Sequence, residues 1–300
     1  MNNHNASKGR LALLDVFESH VIVIDLASGK IVLTVDGSGH PDGIQVDASA
    51  GYIYWTDMGA KREGEDFFAP DGRIMRCKLD GSGSTELVGG GAVHTPKQLV
   101  LVPDHRMLYW CDREGGRVMR AGTDGSGLTT LVERGRGGPI PRDKMDQCVG
   151  IVVDQARGQM YWTQKGPPKG GRGRIFRADL DIPQGETPWN RSDIVLLLDH
   201  LPEPIDLEID HRNGFLYWTD RGVEPDGNSL NRARITDVGL ASHEVVARGF
   251  KEAIGMALVP SGEVAYVSDL SGKVYEVALQ TGEKTAVFDL GRPVTGIAFF

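Results

Sequence analysis

Tyr54-Trp55-Thr56-Asp57 is a stretch to which the chain keeps returning. It comes back as Tyr109-Trp110-Cys111-Asp112, Tyr161-Trp162-Thr163-Gln164 and Tyr217-Trp218-Thr219-Asp220, with a worn copy at Tyr266-Val267-Ser268-Asp269. Successive copies lie roughly 50 residues apart, the sequence period of propeller blades. Four of the five tryptophans fall inside the motif.

Around the motif a four-strand module repeats. An inner strand at residues 42–47 leads through Ala48-Ser49-Ala50-Gly51 into the motif strand; a third strand follows at 73–77. The tight turn Asp80-Gly81-Ser82-Gly83 then starts an outer strand that ends at Val88. Asp-Gly pairs between alternating apolar residues are strong hairpin signals. Inner strands read at 44–46, 98–102, 149–153, 205–209, 254–258 and 294–300, yet only five motif strands follow them. The last inner strand must therefore find its partners in three short strands at the other end, residues 10–16, 20–26 and 30–35, where Asp15 falls at the motif's aspartate. The expectation is an all-β, six-bladed β-propeller with four antiparallel strands per blade, its ring closed by N-terminal strands pairing with the C-terminal strand. It forms one domain over residues 1–300, with 1–9 a flexible tail. Closure of this kind leaves no sheet edge between first and last blades.

Composition agrees and excludes some functions. The 40 glycines and 40% hydrophobic residues suit many short strands and tight turns. A formal net charge of −8 argues against nucleic-acid or membrane-surface partners. The polar start, Met1 to Ser7, carries no signal-peptide pattern, and Cys77, Cys111 and Cys148 make no disulfide framework. A cytoplasmic protein is expected; its oligomeric state is open.

The repeated motif resembles the YWTD, or low-density-lipoprotein-receptor class B, propeller family, over nearly the whole chain. The resemblance implies that Tyr and Trp pack between sheets and that Thr and Asp hydrogen-bond within and between blades. Cys111 for Thr and Gln164 for Asp depart from that pattern. The stretches His40-Pro41-Asp42-Gly43, Thr95-Pro96-Lys97-Gln98 and Glu203-Pro204-Ile205-Asp206 are similar to those of stand-alone bacterial and fungal members.

Loop length points to one face. Turns between first and second strands are minimal, whereas residues 58–72, 134–147, 165–173 and 221–231 form long connections at the opposite end. Long loops gathered on one end of a rigid scaffold mark a functional face. At its centre the inner strands begin, bringing Asp42, Lys97, Gln98, Gln147, Cys148, Asp206, Glu208, Glu252 and Thr295 toward the axis. A lysine among carboxylates in a partly closed funnel suits acid–base work, for which Lys97, Asp206 and Asp42 are the catalytic candidates. The alternative is that these charges only pair across a wet channel. Met58, Phe67 and Phe68 would supply apolar walls. His40 and His94, one blade apart before two inner strands, are read as substrate contacts, with a metal pair, a general acid–base couple or groups that satisfy the backbone as the alternatives; no metal-ligand spacing accompanies them. Neither metal nor cofactor is expected.

The expected ligand is a small organic substrate in the central funnel. Compact propellers of this kind look similar, more loosely, to the fungal hetero-Diels–Alderases of tropolonic sesquiterpenoid pathways. That resemblance implies dehydration of a hydroxymethyl tropolone to a quinone methide and its addition to a humulene-type alkene. Two other readings stand beside it. A non-catalytic binding propeller would expose an apolar patch on the disc. A metal-dependent lactonase would need Asn, Asp and Glu at the axis, and no inner strand carries asparagine.

Overall fold

The computed structural model describes residues 9–60 and 67–300. It folds into six four-stranded sheets, all of whose strand pairs are antiparallel. The inner strands are Pro41–Asp47, Pro96–Val102, Cys148–Asp154, Pro204–Asp210, Ala253–Leu258 and Val294–Phe299, which head blades one to six. Each packs against the next and the sixth against the first, giving the ring. In blade six Val294–Phe299 pairs with Arg10–Asp15, which is followed by His20–Asp25 and Lys30–Asp36, so both ends of the chain share one sheet. Of the expected tail, residues 1–8 lie outside the described residues, while the Gly9 carbonyl accepts a hydrogen bond from the Leu26 N–H at 3.1 Å. Among the described residues no helix is long and apolar enough to cross a membrane.

The aromatic motif builds the interfaces between blades. Tyr54 shares a buried cluster with Trp110 of the next blade, Tyr109 with Trp162, and Tyr161 with Trp218. Where the motif wears out, smaller side chains take over: Val267 faces Tyr217, Leu13 faces Tyr266, and Ala12 faces Trp55.

Each inner strand carries a bulge near its start. Pro41 pairs with Asp57 but Ile44 with Trp55, so three steps on one strand match two on the other. The same slip recurs at Pro96/Leu99, Cys148/Ile151, Pro204/Leu207, Ala253/Met256 and, in blade six, between Val294 and Ile297. A bulge re-aims the side chains beside it. The motif's threonine holds it in place. Thr56 Oγ1 accepts from the Gly43 N–H at 2.8 Å and donates to the Lys97 carbonyl of the next blade at 2.9 Å. Thr163 does the same between Gly150 (2.7 Å) and Ile205 (2.8 Å), and Thr219 between Asp206 (3.1 Å) and Ile254 (2.6 Å). Ser268 serves blade five, linking Gly255 to Thr295. Cys111 donates to the Gly150 carbonyl at 3.3 Å and lies against the Cys148 thiol. Neighbouring inner strands approach so closely that a Cβ on Gly150 would lie 1.9 Å from the Ile205 carbonyl oxygen.

The motif's aspartate fixes the chain as it enters the inner strand. Asp57 accepts from the His40 N–H at 2.9 Å, Asp112 from Thr95 at 2.7 Å, and Asp220 from Glu203 at 3.0 Å. Gln164 turns the interaction round, donating from Nε2 to the Asp146 carbonyl at 3.3 Å. The outer strand of blade one runs further than expected, Thr85–Val93, because residues 89–92 loop out between the pairs Ile74–Val88 and Gly72–Val93.

Thr163→Val keeps the side-chain shape and removes both staple bonds. It leaves a buried N–H and a buried carbonyl unpaired, and should cost about 1–3 kcal/mol in denaturant unfolding. Thr34→Val, on an exposed outer strand, should stay within about 0.5 kcal/mol. Equal effects would contradict the staple.

Candidate functional site

The bulge decides which inner-strand side chains reach the axis. The second residue of each inner strand is Asp42, Lys97, Val149, Ile205, Ile254 and Thr295, in blade order. A second ring comes from the residue directly after each motif aspartate or its equivalent: Met58, Arg113, Lys165, Arg221, Leu270 and Val16. All twelve line one cavity of about 510 Å³, together with His40, Phe67, Pro293 and Phe17, the last 75% exposed at the rim. That volume lies within the usual range for a small-molecule site.

The cavity has two unlike sides. Blades two to four place Arg113, Lys165 and Arg221 above, with Val149, Ile205 and Ile254 forming an apolar floor together with Leu270. On the other side Val16, Phe17, Met58 and Phe67 make an apolar wall beside a polar trio. In that trio the Lys97 ammonium is ion-paired to Asp42 Oδ1 and donates to Met58 Sδ at 3.2 Å, while Gln98 Nε2 donates to Asp42 Oδ2 at 3.3 Å. Burial pushes the Lys97 pKa down against the pull of Asp42, and Arg113 adds to the lowering.

Two buried carboxylates stand behind the cations. Glu114 accepts from Arg113 Nε at 2.7 and 2.8 Å. Glu203, 1% exposed, accepts from Lys165 Nζ at 3.0 Å, Arg221 Nε at 2.9 Å and the Lys169 N–H at 2.8 Å. Burial lowers Lys165 to about 8, opposed by Glu203 and reinforced by Arg221. For Glu203 itself burial works upward, but Arg221 and Lys165 outweigh it and keep the carboxyl below its ordinary value. A lysine near neutrality can hold or release a proton at working pH.

The sequence candidates divide accordingly. His40, Asp42, Met58, Phe67, Lys97 and Thr295 line the cavity. His40 donates from Nδ1 to the Gly59 carbonyl at 3.0 Å, and its ring meets Phe67 edge-on. Thr295 Oγ1 is engaged in donating to the Pro41 carbonyl at 3.0 Å, across the seam between blades six and one. Gln98 touches the site through Asp42. Asp206 lies one residue beyond Ile205 and outside the lining; its two oxygens accept from the Leu207 and Met256 N–H groups, each at 2.9 Å. Glu208 lies further along that strand. Gln147 donates to the Arg142 carbonyl at 3.2 Å, and Cys148 is buried beside Gln164. His94 stands against Arg117 and Asp112, Phe68 is surface-exposed, and Glu252 pairs with Lys169 (3.7 Å) and Arg221 (3.9 Å) in an adjoining groove. Among the described residues no three His, Cys, Asp or Glu side chains gather as a metal would need. Reading the residue after each motif aspartate would have found Arg113, Lys165 and Arg221, which the sequence analysis passes over.

No family model matches the chain. It is 49% identical over 276 residues to a low-density lipoprotein receptor-related protein 1 of Pyricularia oryzae, covering 88% of this chain and 86% of that protein. It is 42% identical over 270 residues to a 3-hydroxyacyl-CoA dehydrogenase-like protein LAM1 of Cochliobolus heterostrophus, covering 86% of this chain but 56% of that one. Among solved structures, a chain of a nidogen/laminin complex superposes with a TM-score of 0.74 at 18% identity, over 97% of this chain and 98% of that chain, a likeness of fold alone.

Asp206 gives a pH test of the axial electrostatics. Burial raises its carboxyl from 3.8 to about 7, with Asp42 adding and the two N–H groups opposing. The folded state therefore keeps a proton that the unfolded chain has lost. This contribution is full below about pH 4 and disappears as pH rises through about 7. Asp206→Asn should flatten the decline of unfolding free energy between about pH 4 and 7. An unchanged slope would place the titration elsewhere.

Proposed function

The chain belongs to the family of propellers represented by the Pyricularia oryzae low-density lipoprotein receptor-related protein 1, and on that footing we propose that it is an enzyme of natural-product biosynthesis acting on small organic molecules in its axial funnel. The observation that carries this reading is the two-sided cavity of about 510 Å³, with a cationic half and an apolar wall. A protein-docking propeller would instead carry its apolar surface on the outside of the disc. Here Met58, Phe67, Val149, Ile205, Ile254 and Leu270 line the cavity instead.

In finer form the proposed reaction is a hetero-Diels–Alder addition of a tropolone quinone methide to a humulene-type sesquiterpene. The tropolone hydroxyl gives up its proton, the bond from carbon to the hydroxymethyl oxygen breaks, and that oxygen leaves as water after taking a proton. Lys97 and Asp42 are the acid–base pair for this step, with Asp206 as a supporting carboxylate beyond the funnel lining. The cycloaddition then forms one carbon–carbon and one carbon–oxygen bond with no further proton moved. The protein's share in it is proximity and the exclusion of water, which the apolar wall favours. No cofactor enters this scheme. The Cochliobolus relative's name speaks of a dehydrogenase-like protein, but this chain spans about half of that protein, 56%. The described strands, all paired antiparallel, offer no parallel dinucleotide-binding sheet, so that activity is not adopted.

Purified protein given a hydroxymethyl tropolone and humulene should form the adduct faster than buffer does, as followed by mass spectrometry. Lys97→Met should remove at least about a hundredfold of that acceleration, the usual share of a positioned acid or base. Acceleration that survives the substitution would move the acid–base role away from Lys97. No acceleration would contradict the reaction class.

A further inference from the structure

Three cations meet where the propeller does not need them. Arg113, Lys165 and Arg221 occupy the same post-motif position in three consecutive blades, whereas the other blades place Leu270, Val16 and Met58 there. The position accepts apolar side chains, so the fold does not require the charges. Two buried carboxylates, Glu114 and Glu203, stand behind the three cations, and Glu252 reaches Arg221 at 3.9 Å from the adjoining groove. Lys97 is matched by Asp42. The funnel lining thus carries four cations, Lys97, Arg113, Lys165 and Arg221, against one carboxylate, Asp42, inside a chain whose formal net charge is −8. Below the cations the floor of Val149, Ile205 and Ile254 is at most 5% exposed and offers no counter-charge. Charges above such a surface are weakly screened. Both guanidinium groups spend Nε on their carboxylates, and a planar guanidinium suits an anion with two oxygens side by side.

Resting on the reading of the funnel as a small-molecule site, we propose that Arg113, Lys165 and Arg221 form an anion subsite, so that the funnel takes its substrate as a monoanion. The headgroup is a carboxylate, enolate or tropolonate; the apolar body lies on the floor and against Met58 and Phe67. Desolvating an anion over an apolar floor is unfavourable without such partners, so the subsite also selects the ionised form from solution.

The test uses two fluorescent probes with closely similar aromatic bodies, 8-anilinonaphthalene-1-sulfonate and uncharged N-phenyl-1-naphthylamine. The wild-type protein should bind the sulfonate at least about tenfold more tightly, the worth of one charge-assisted hydrogen bond. Lys165→Met combined with Arg221→Met should erase that preference while the neutral amine still binds, which reports that the funnel remains folded. Arg136→Gln, outside the funnel beside Trp189, should leave the preference intact. Because the sulfonate does not titrate, the wild-type preference should also fall as pH rises through about 8, where Lys165 loses its proton beside Glu203, Arg113 and Arg221. Equal binding of the two probes by wild type, or a preference that survives the double substitution, would overturn the anion subsite and leave the funnel reading standing. Binding of neither probe would overturn both.

Discussion

A hydroxyl in four of the six blades, on Thr56, Thr163, Thr219 and Ser268, sets the local geometry from which the site is built. The motif's threonine sits where two sheets nearly touch, accepting from a bulged amide of its own blade and donating to a carbonyl of the next. Both partners are buried, so neither bond can be exchanged for one to water, and the arrangement is costly to lose. The bulge it secures turns the second residue of each inner strand toward the axis. Without that local slip the sheet's alternation would send the same side chains between the blades. In those four blades a structural hydrogen bond therefore secures the bulge that sets the funnel lining, while blades two and six keep the bulge with Cys111 and Leu14 at that position.

The funnel's charges are hard to explain as stability. Buried ion pairs such as Lys165–Glu203 and Lys97–Asp42 give back in Coulomb attraction roughly what they cost in desolvation, and apolar replacements are often neutral or better. Three blades of this ring already use apolar residues at the post-motif position. Charged groups with shifted pKa values in a cleft are candidates for recognition or proton transfer. The lowering of Lys165 to about 8 follows from the same confinement, since burial and Arg221 outweigh its one carboxylate.

Much of the architecture is legible in the sequence because its signals are local and repeated. Adjacent Tyr and Trp every half-hundred residues, with Asp-Gly turns between, give blade number and strand order; Asp15 alone locates the closing blade. The site is only half legible. Asp42 and Lys97 emerge because they open inner strands, and Met58 and Phe67 because they sit in a long loop. Asp206 and Gln147 look equivalent by position, but the bulge adds a residue, and a one-residue shift moves a side chain off the axis. Arg113, Lys165 and Arg221 stay hidden for another reason: each reads as the first residue of a solvated loop. Only the convergence of six strand ends shows that this position faces inward.

Under the proposed function, the two rings of six side chains form one ligand site. The most direct test of this claim is a crystal structure of the protein soaked with a tropolone at saturating concentration. The predicted result is density inside the funnel, the oxygens toward Arg113, Lys165 and Arg221 and the ring over Val149, Ile205 and Ile254. Density confined to the opposite face of the disc or the outer rim, with the funnel empty, would contradict the claim.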